Sequence, residues 1–119
     1  MASSPCLTAS FGGKSCKWPG STRNFGYKLE ICFTNTCDTE VTLTVDTVQA
    51  NTGQAPLVQV NQTITVPAGQ KVCLPTLVIY CSTSSANFIN VTWHVTGQAS
   101  QVSQLPSPVQ TCVGDSQCL

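Results

Sequence analysis

From Tyr27 onward, hydrophobic and polar residues alternate with a period of two. Tyr27, Leu29, Ile31 and Phe33 fall on one face, and Lys28, Glu30, Cys32 and Thr34 on the other. That period belongs to a half-buried β-strand, because successive side chains of a pleated chain point to opposite faces. Val41, Leu43 and Val45 alternate with Thr42, Thr44 and Asp46 beyond a turn-like TNTCDT segment, which predicts a hairpin. Residues 57–66 carry Val58, Val60, Ile64 and Val66 on one face, with Gln62 interrupting the row. The clearest strand has Ile89, Val91, Trp93 and Val95 on one side and Asn90, Thr92 and His94 on the other. Two short apolar stretches, 71–74 and 76–81, are divided by Pro75. Proline cannot donate to a ladder, so it marks an edge, a bulge or a crossover between sheets. A weaker strand surrounds Val102 to Leu105.

No window of ten residues has helical periodicity. Loops fall at Asn51–Pro56, at Pro67-Ala-Gly69 and at 82–87, where Gly and Pro supply turn conformations. Six to eight short strands predict an all-β fold: a single β-sandwich, jelly-roll-like, with extended disulfide-bearing termini. A flattened barrel is the architectural rival. The β domain is expected over 27–105. Residues 1–26, rich in Ser, Gly, Cys and Lys, read as an N-terminal arm or connector. That arm either folds back and is stapled to its own domain by Cys6 and Cys16, or docks on another subunit. Residues 106–119 form a cysteine-bearing tail.

Five basic residues balance five acidic ones. The polar surface is therefore built from Thr, Ser, Asn and Gln, and copies of the chain repel one another weakly. No Lys/Arg field exists to bind nucleic acid. No apolar run approaches the roughly eighteen residues of a transmembrane helix. The N-terminus shows no basic region followed by an apolar run, so no signal peptide is visible.

Chemistry-bearing groups are sparse. His94, the one histidine, has no Ser or Cys partner at a telling spacing and reads as a surface or interface residue. Asp38, Asp46, Asp115, Glu30 and Glu40 are scattered, without the paired carboxylates of a glycosidase. Gly12-Gly13-Lys14-Ser15 lacks the leading glycine of a phosphate loop. Asn61-Gln-Thr63 and Asn90-Val-Thr92 have the form of N-glycosylation acceptors. No catalytic residue, cofactor site or metal site is expected, and the chain does not read as an enzyme. Trp18, Phe25 and Tyr27 are candidate interface residues, since aromatics anchor contacts.

The cysteines are the informative constellation. Cys6, Cys16, Cys32, Cys37, Cys73, Cys81, Cys112 and Cys118 are disulfide candidates. Their spacings do not match a zinc site and leave connectivity open. Cys6, Cys16, Cys112 and Cys118 lie in the terminal segments. There a disulfide fixes an arm to the body, or one subunit to the next. This pattern, a segment with Cys6 and Cys16 ahead of a Thr/Val-rich β domain, resembles the subunits of bacterial endospore appendages. Cys6 and Cys16 stand singly here rather than as an adjacent pair. The resemblance implies a jelly-roll subunit made without a signal peptide, whose N-terminal connector cysteines, here Cys6 and Cys16, cross-link subunits along a fibre.

The leading expectation is a structural, self-assembling subunit of an extracellular fibre, shell or coat, homo-oligomeric through its terminal segments. Its place would be extracellular, or on a spore, virion or cell surface. The alternatives are a disulfide-stabilised module binding carbohydrate or a cell-surface ligand, and a small secreted toxin or inhibitor.

Overall fold

A computed structural model describes residues 6–18, 25–51, 55–82 and 86–113. Among them the chain is all-β, without helix, in ten strands. These are β1 (Leu7–Phe11), β2 (Cys16–Trp18), β3 (Phe25–Leu29), β4 (Ile31–Asn35), β5 (Val41–Ala50), β6 (Leu57–Val66), β7 (Lys71–Cys73), β8 (Val78–Ser82), β9 (Phe88–Val95) and β10 (Gln101–Pro106). They form three antiparallel sheets, ordered β1-β4-β7, β2-β3-β8 and β10-β9-β5-β6.

The two three-stranded sheets are made from the same three runs of chain. Each run is broken at one level: at Gly12–Ser15, at Glu30 and at Leu74–Leu77. The broken backbone is stitched locally. Gly12 N donates to Glu30 O at 2.7 Å, Glu30 N donates to Ser15 Oγ at 2.9 Å, and Leu74 N donates to Ile31 O at 2.8 Å. Buried backbone groups must find partners, and these bonds replace the missing ladder rungs.

Tyr27, Leu29, Ile31 and Phe33 are all buried, as their period of two requires. They join Leu43, Val45, Val48, Val66, Tyr80, Ile89, Val91 and Trp93 in one core drawn from all three sheets. Phe33 meets Trp93 edge-on, with ring centroids 5.0 Å apart, the geometry that aromatic quadrupoles favour. Tyr80 spans the core: its hydroxyl donates to Pro56 O at 2.6 Å and accepts from Ala50 N at 2.8 Å.

One expectation is corrected. Residues 6–18 are not an arm outside the domain. β1 pairs with β4 along its length and places Leu7 and Ala9 in the core, and β2 pairs with β3. The fold-back alternative describes these residues, and a domain beginning at residue 27 omits two of its strands. β5 runs to Ala50, up to the expected loop at Asn51 and beyond the row of Val41, Leu43 and Val45. The register shifts between Val45 and Thr47, leaving Asp46 as an extra residue against β9. That bulge resets the parity, so Val48 and Ala50 return to the core side despite the two polar residues before them. Opposite it on β6, Asn61 takes φ 51°, a left-handed conformation that asparagine tolerates.

Two predictions follow from this packing. A Cβ at Gly12 would lie 2.9 Å from Cys32 Sγ and 2.7 Å from Glu30 Cδ. Gly12→Val should therefore destabilise by about 1–3 kcal/mol, read as a lowered urea midpoint; an unchanged midpoint would contradict the close approach. Burial raises the Tyr80 pKa above its ordinary 10.0. A folded-state pKa above the unfolded value gives stability that is present below the unfolded pKa and lost as pH rises through the folded one. Unfolding free energy should decline above pH 10.0, with a shallower decline in Tyr80→Phe.

Candidate functional site

Six of the eight cysteines pair within the chain: Cys6 with Cys37, Cys16 with Cys112, and Cys32 with Cys73. Cys81 is also disulfide-bonded, and Cys118 lies outside the described residues. Cys6–Cys37 ties the start of β1 to the β4–β5 loop, where Thr36 N also donates to Cys6 O at 2.8 Å. Cys32 and Cys73 face each other in the β4–β7 ladder. Cys6 and Cys16, which the resemblance would have cross-link subunits, here bond within their own chain, as the fold-back alternative has it. Disulfides at this density belong to an oxidising or extracellular environment. Among the described residues no helix is long and apolar enough to cross a membrane.

The Cys16–Cys112 disulfide holds a second feature absent from the sequence reading. Residues 110–112 lie as a short parallel strap on β2, bridging Lys17 to Thr111. Lys17 N donates to Gln110 O, and Cys112 N to Lys17 O, both at 2.8 Å. Trp18 is buried with Cys16 and Cys112 in a small cluster separate from the main core. Its Nε1 has no hydrogen-bond partner, and Lys28 Nζ stands 5.9 Å from the ring centroid. The expected interface anchors therefore turn inward. Trp18 lies under its own tail, and Tyr27 is 1% exposed, its hydroxyl accepting from Ala86 N at 3.3 Å. The Phe25 backbone pairs with Ser82; its side chain lies outside the described residues.

The four-stranded sheet ends in two strands with one unpaired edge each, β6 and β10. Neither carries a charged residue, and β6 runs ten residues without a proline. One row crosses the sheet as Gln62, Val45, Trp93 and Gln101. At its two ends, Gln62 Oε1 and Gln101 Nε2 are buried without a hydrogen-bond partner. The outer face is polar, and Asp46 is the one acidic or basic residue, histidine apart, on the four strands. Thr42 and Thr65 share a hydroxyl–hydroxyl bond of 2.8 Å, as do Thr44 and Thr63.

On that face the β5 bulge delivers Asp46 to the imidazole of His94, with Oδ2 2.8 Å from Nδ1. A carboxylate on Nδ1 orients the ring, but the register places Thr44 opposite His94 on β5, with no serine or cysteine beside it. The period of two puts Asp46 and His94 on the polar faces of their strands, but it could not show that β5 and β9 are neighbours or that a bulge lies at Asp46.

Glu30, Cys32 and Cys73 bring ligand atoms within 4.8 Å of one another. The two sulfurs are bonded to each other, so neither offers the thiolate a metal needs. A groove of about 570 Å³ opens between the β1–β2 turn and the segment after β10, lined by Phe11, Gly12, Leu105, Pro106, Pro108 and Val109 among others. Its volume suits a small ligand or a peptide segment.

No family model matches the chain, and neither a curated protein nor a solved structure matches it.

The His94–Asp46 pair is half-exposed, with side chains 32% and 26% accessible. Partly exposed ion pairs contribute little. Asp46→Asn should shift the thermal midpoint by no more than a few degrees, the equivalent of about 1 kcal/mol or less. A larger loss would mean that the pair, and not the bulge backbone, holds the β5–β9 register.

Proposed function

We propose that this chain is a structural subunit that assembles with copies of itself into an extracellular fibre, shell or coat. In this reading the three sheets form two layers of a jelly-roll-like sandwich, and the internal disulfides make each subunit durable. The observation that carries it is the pair of uncharged edges, β6 and β10, on one sheet. Monomeric β proteins blunt such edges with lysine, proline or short strands, because unpaired N–H and C=O groups recruit another chain. Here β6 is long and bears only an Asn61 irregularity as protection.

The strand directions favour an open assembly. β6, β5, β9 and β10 alternate, so β6 and β10 run opposite ways. A second copy whose β6 lies along β10 continues the antiparallel order, and its own β10 stays free for a third. Such a head-to-tail contact is heterologous and grows into a filament unless it closes. It also sets Gln101 of one copy at the same row as Gln62 of the next, an unmet donor beside an unmet acceptor. Each unmet group costs about 1–3 kcal/mol while buried alone. The zero net charge leaves little repulsion to oppose association.

A second reading rests on the groove beside β1, which favours a module that binds a small apolar or cell-surface ligand.

Light scattering and negative-stain electron microscopy of the oxidised protein over a concentration series test the leading reading. The expected outcome is concentration-dependent multimers or filaments. Val102→Lys with Gln104→Lys, both exposed on β10, should abolish them and leave the circular dichroism spectrum unchanged. A strict monomer at every concentration would remove the assembly reading and favour the groove.

A further inference from the structure

β1 and β2 belong to one run of chain, and the fold covers the outer edge of that run in one half only. At β2 the chain's own residues 110–112 lie along the edge, held by the Lys17 backbone. At β1 no strand pairs with the edge among the described residues, and the groove of about 570 Å³ opens there. From this contrast we infer that the groove receives an extended, uncharged peptide segment of a partner protein, which pairs with the β1 backbone as an added strand. The inference rests on the groove reading and names its ligand class.

The phase of the ladder decides which backbone groups of β1 are free. Thr36 N donates to Cys6 O, and Gly12 N donates to Glu30 O. In an antiparallel pair, alternate residues bond the partner strand, and the residues between them point their N–H and C=O away. Cys6, Thr8, Ser10 and Gly12 therefore face β4. Leu7, Ala9 and Phe11 direct theirs outward. Ala9 and Phe11 line the groove, and no hydrogen bond to their backbone forms among the described residues. β1 also carries no charged residue and no proline to deter a strand.

The opposite wall is built differently. Ser107 N donates to Asn87 O, and by the same alternation Pro106 is the residue that faces outward at the end of β10. Proline has no N–H, so this wall offers no donor at that point. It offers side chains instead: Leu105, Pro106, Pro108 and Val109, the last 86% exposed. None of the lining residues is ionisable. One wall thus reads a backbone and the other holds apolar side chains, the two components of strand addition. A charged segment would lose its hydration there without gaining a partner. Ala9 to Gly13 measures about 13 Å of extended chain, a length that four or five residues span. Because residues 105–110 stand across from β1, the groove admits a single chain and not a strand flanked by its own sheet.

The strap shows that this kind of contact already holds on the same edge. Its bonds from Lys17 N to Gln110 O and from Cys112 N to Lys17 O are backbone bonds of 2.8 Å. A peptide on β1 would continue that cover along the edge, and it would shield Val109 as it did so.

The test uses the oxidised protein, dilute enough to be monomeric, and a blocked five-residue peptide of alternating valine and threonine. Amide hydrogen exchange is followed by NMR. In the free protein the Ala9 and Phe11 amides should exchange fast, and those of Thr8 and Ser10 slowly. The peptide should slow Ala9 and Phe11 by about tenfold at nine-tenths occupancy and leave Thr8 and Ser10 unchanged. The same peptide methylated at every backbone nitrogen keeps its side chains and loses its donors. It should bind about tenfold more weakly or worse; equal binding of the two peptides would overturn backbone pairing. Nile red, an uncharged apolar dye, reports on the groove itself. Dye binding at the groove without peptide protection of Ala9 and Phe11 would sink this inference and leave the groove reading standing. If neither dye nor peptide binds, both fail. Protection of Ala9 and Phe11 that appears when the protein alone is concentrated would make a second copy the occupant, and the partner peptide would be rejected.

Discussion

The backbone break at Glu30 is the constraint on which the rest depends. The run from Phe25 to Asn35 is the middle strand of both three-stranded sheets, so any fault in it must be absorbed by both neighbours. Its carbonyl and N–H at residue 30 leave the ladder and are recovered by Gly12 and Ser15. That recovery brings the glycine turn down over the back of β4. Cys32, on the face that the alternation assigns to solvent, is thereby fully buried. The turn needs glycine at position 12 because Glu30 and Cys32 occupy the space of a side chain. One local departure from the pleat thus accounts for the turn sequence and for the covered disulfide.

Much of the strand content was legible because burial on one face leaves a period of two. The rows at 27–33, 41–45 and 89–95 appear in the sequence and in the core alike. β1 was less legible, although Leu7, Ala9 and Phe11 do alternate. Three of its five side chains are small or polar, it lies between a cysteine and a glycine pair, and it is held by pairing with β4 along its length. β2 alternates as Cys16, Lys17 and Trp18, but three residues are too short a run to mark a strand. The bulge at Asp46 was hidden for a related reason. A bulge changes the phase of the pattern, and a polar residue at the point of change looks like the end of a strand.

The candidate surface was legible only in outline. Neutral charge and terminal cysteines pointed to association, but disulfide pairing depends on which strands meet, and sequence spacing carries no such distance. Cys16 and Cys112 stand 96 residues apart in sequence, with Cα atoms 5.0 Å apart. Closing so long a loop restricts the unfolded chain strongly, worth up to about 4–5 kcal/mol in the chain-entropy account. The same link fastens the chain's end across the β2 edge. Trp18, read as an anchor for a partner, anchors this segment instead. Its aromatic character was the legible signal; which surface it anchors was not.

Charge is distributed unevenly between the sheets, and this bears on how such a molecule meets its copies. Lys14, Lys17, Lys28, Glu30 and Lys71 lie on or between the strands of the three-stranded sheets, and Asp38 and Glu40 in the β4–β5 loop. The four-stranded sheet bears only Asp46, and that carboxylate is engaged by His94. Its threonine hydroxyls are similarly turned toward one another across β5 and β6. A face whose polar groups are satisfied internally presents water with few unmet demands and approaching protein with little repulsion. The unmet hydrogen-bonding capacity of that sheet is concentrated at its two edges, in the outward backbone groups of β6 and β10 and the amides of Gln62 and Gln101. Side-by-side contact through the edges would therefore offer more new hydrogen bonds than face-to-face stacking, and in the assembly we propose growth runs within the sheet plane.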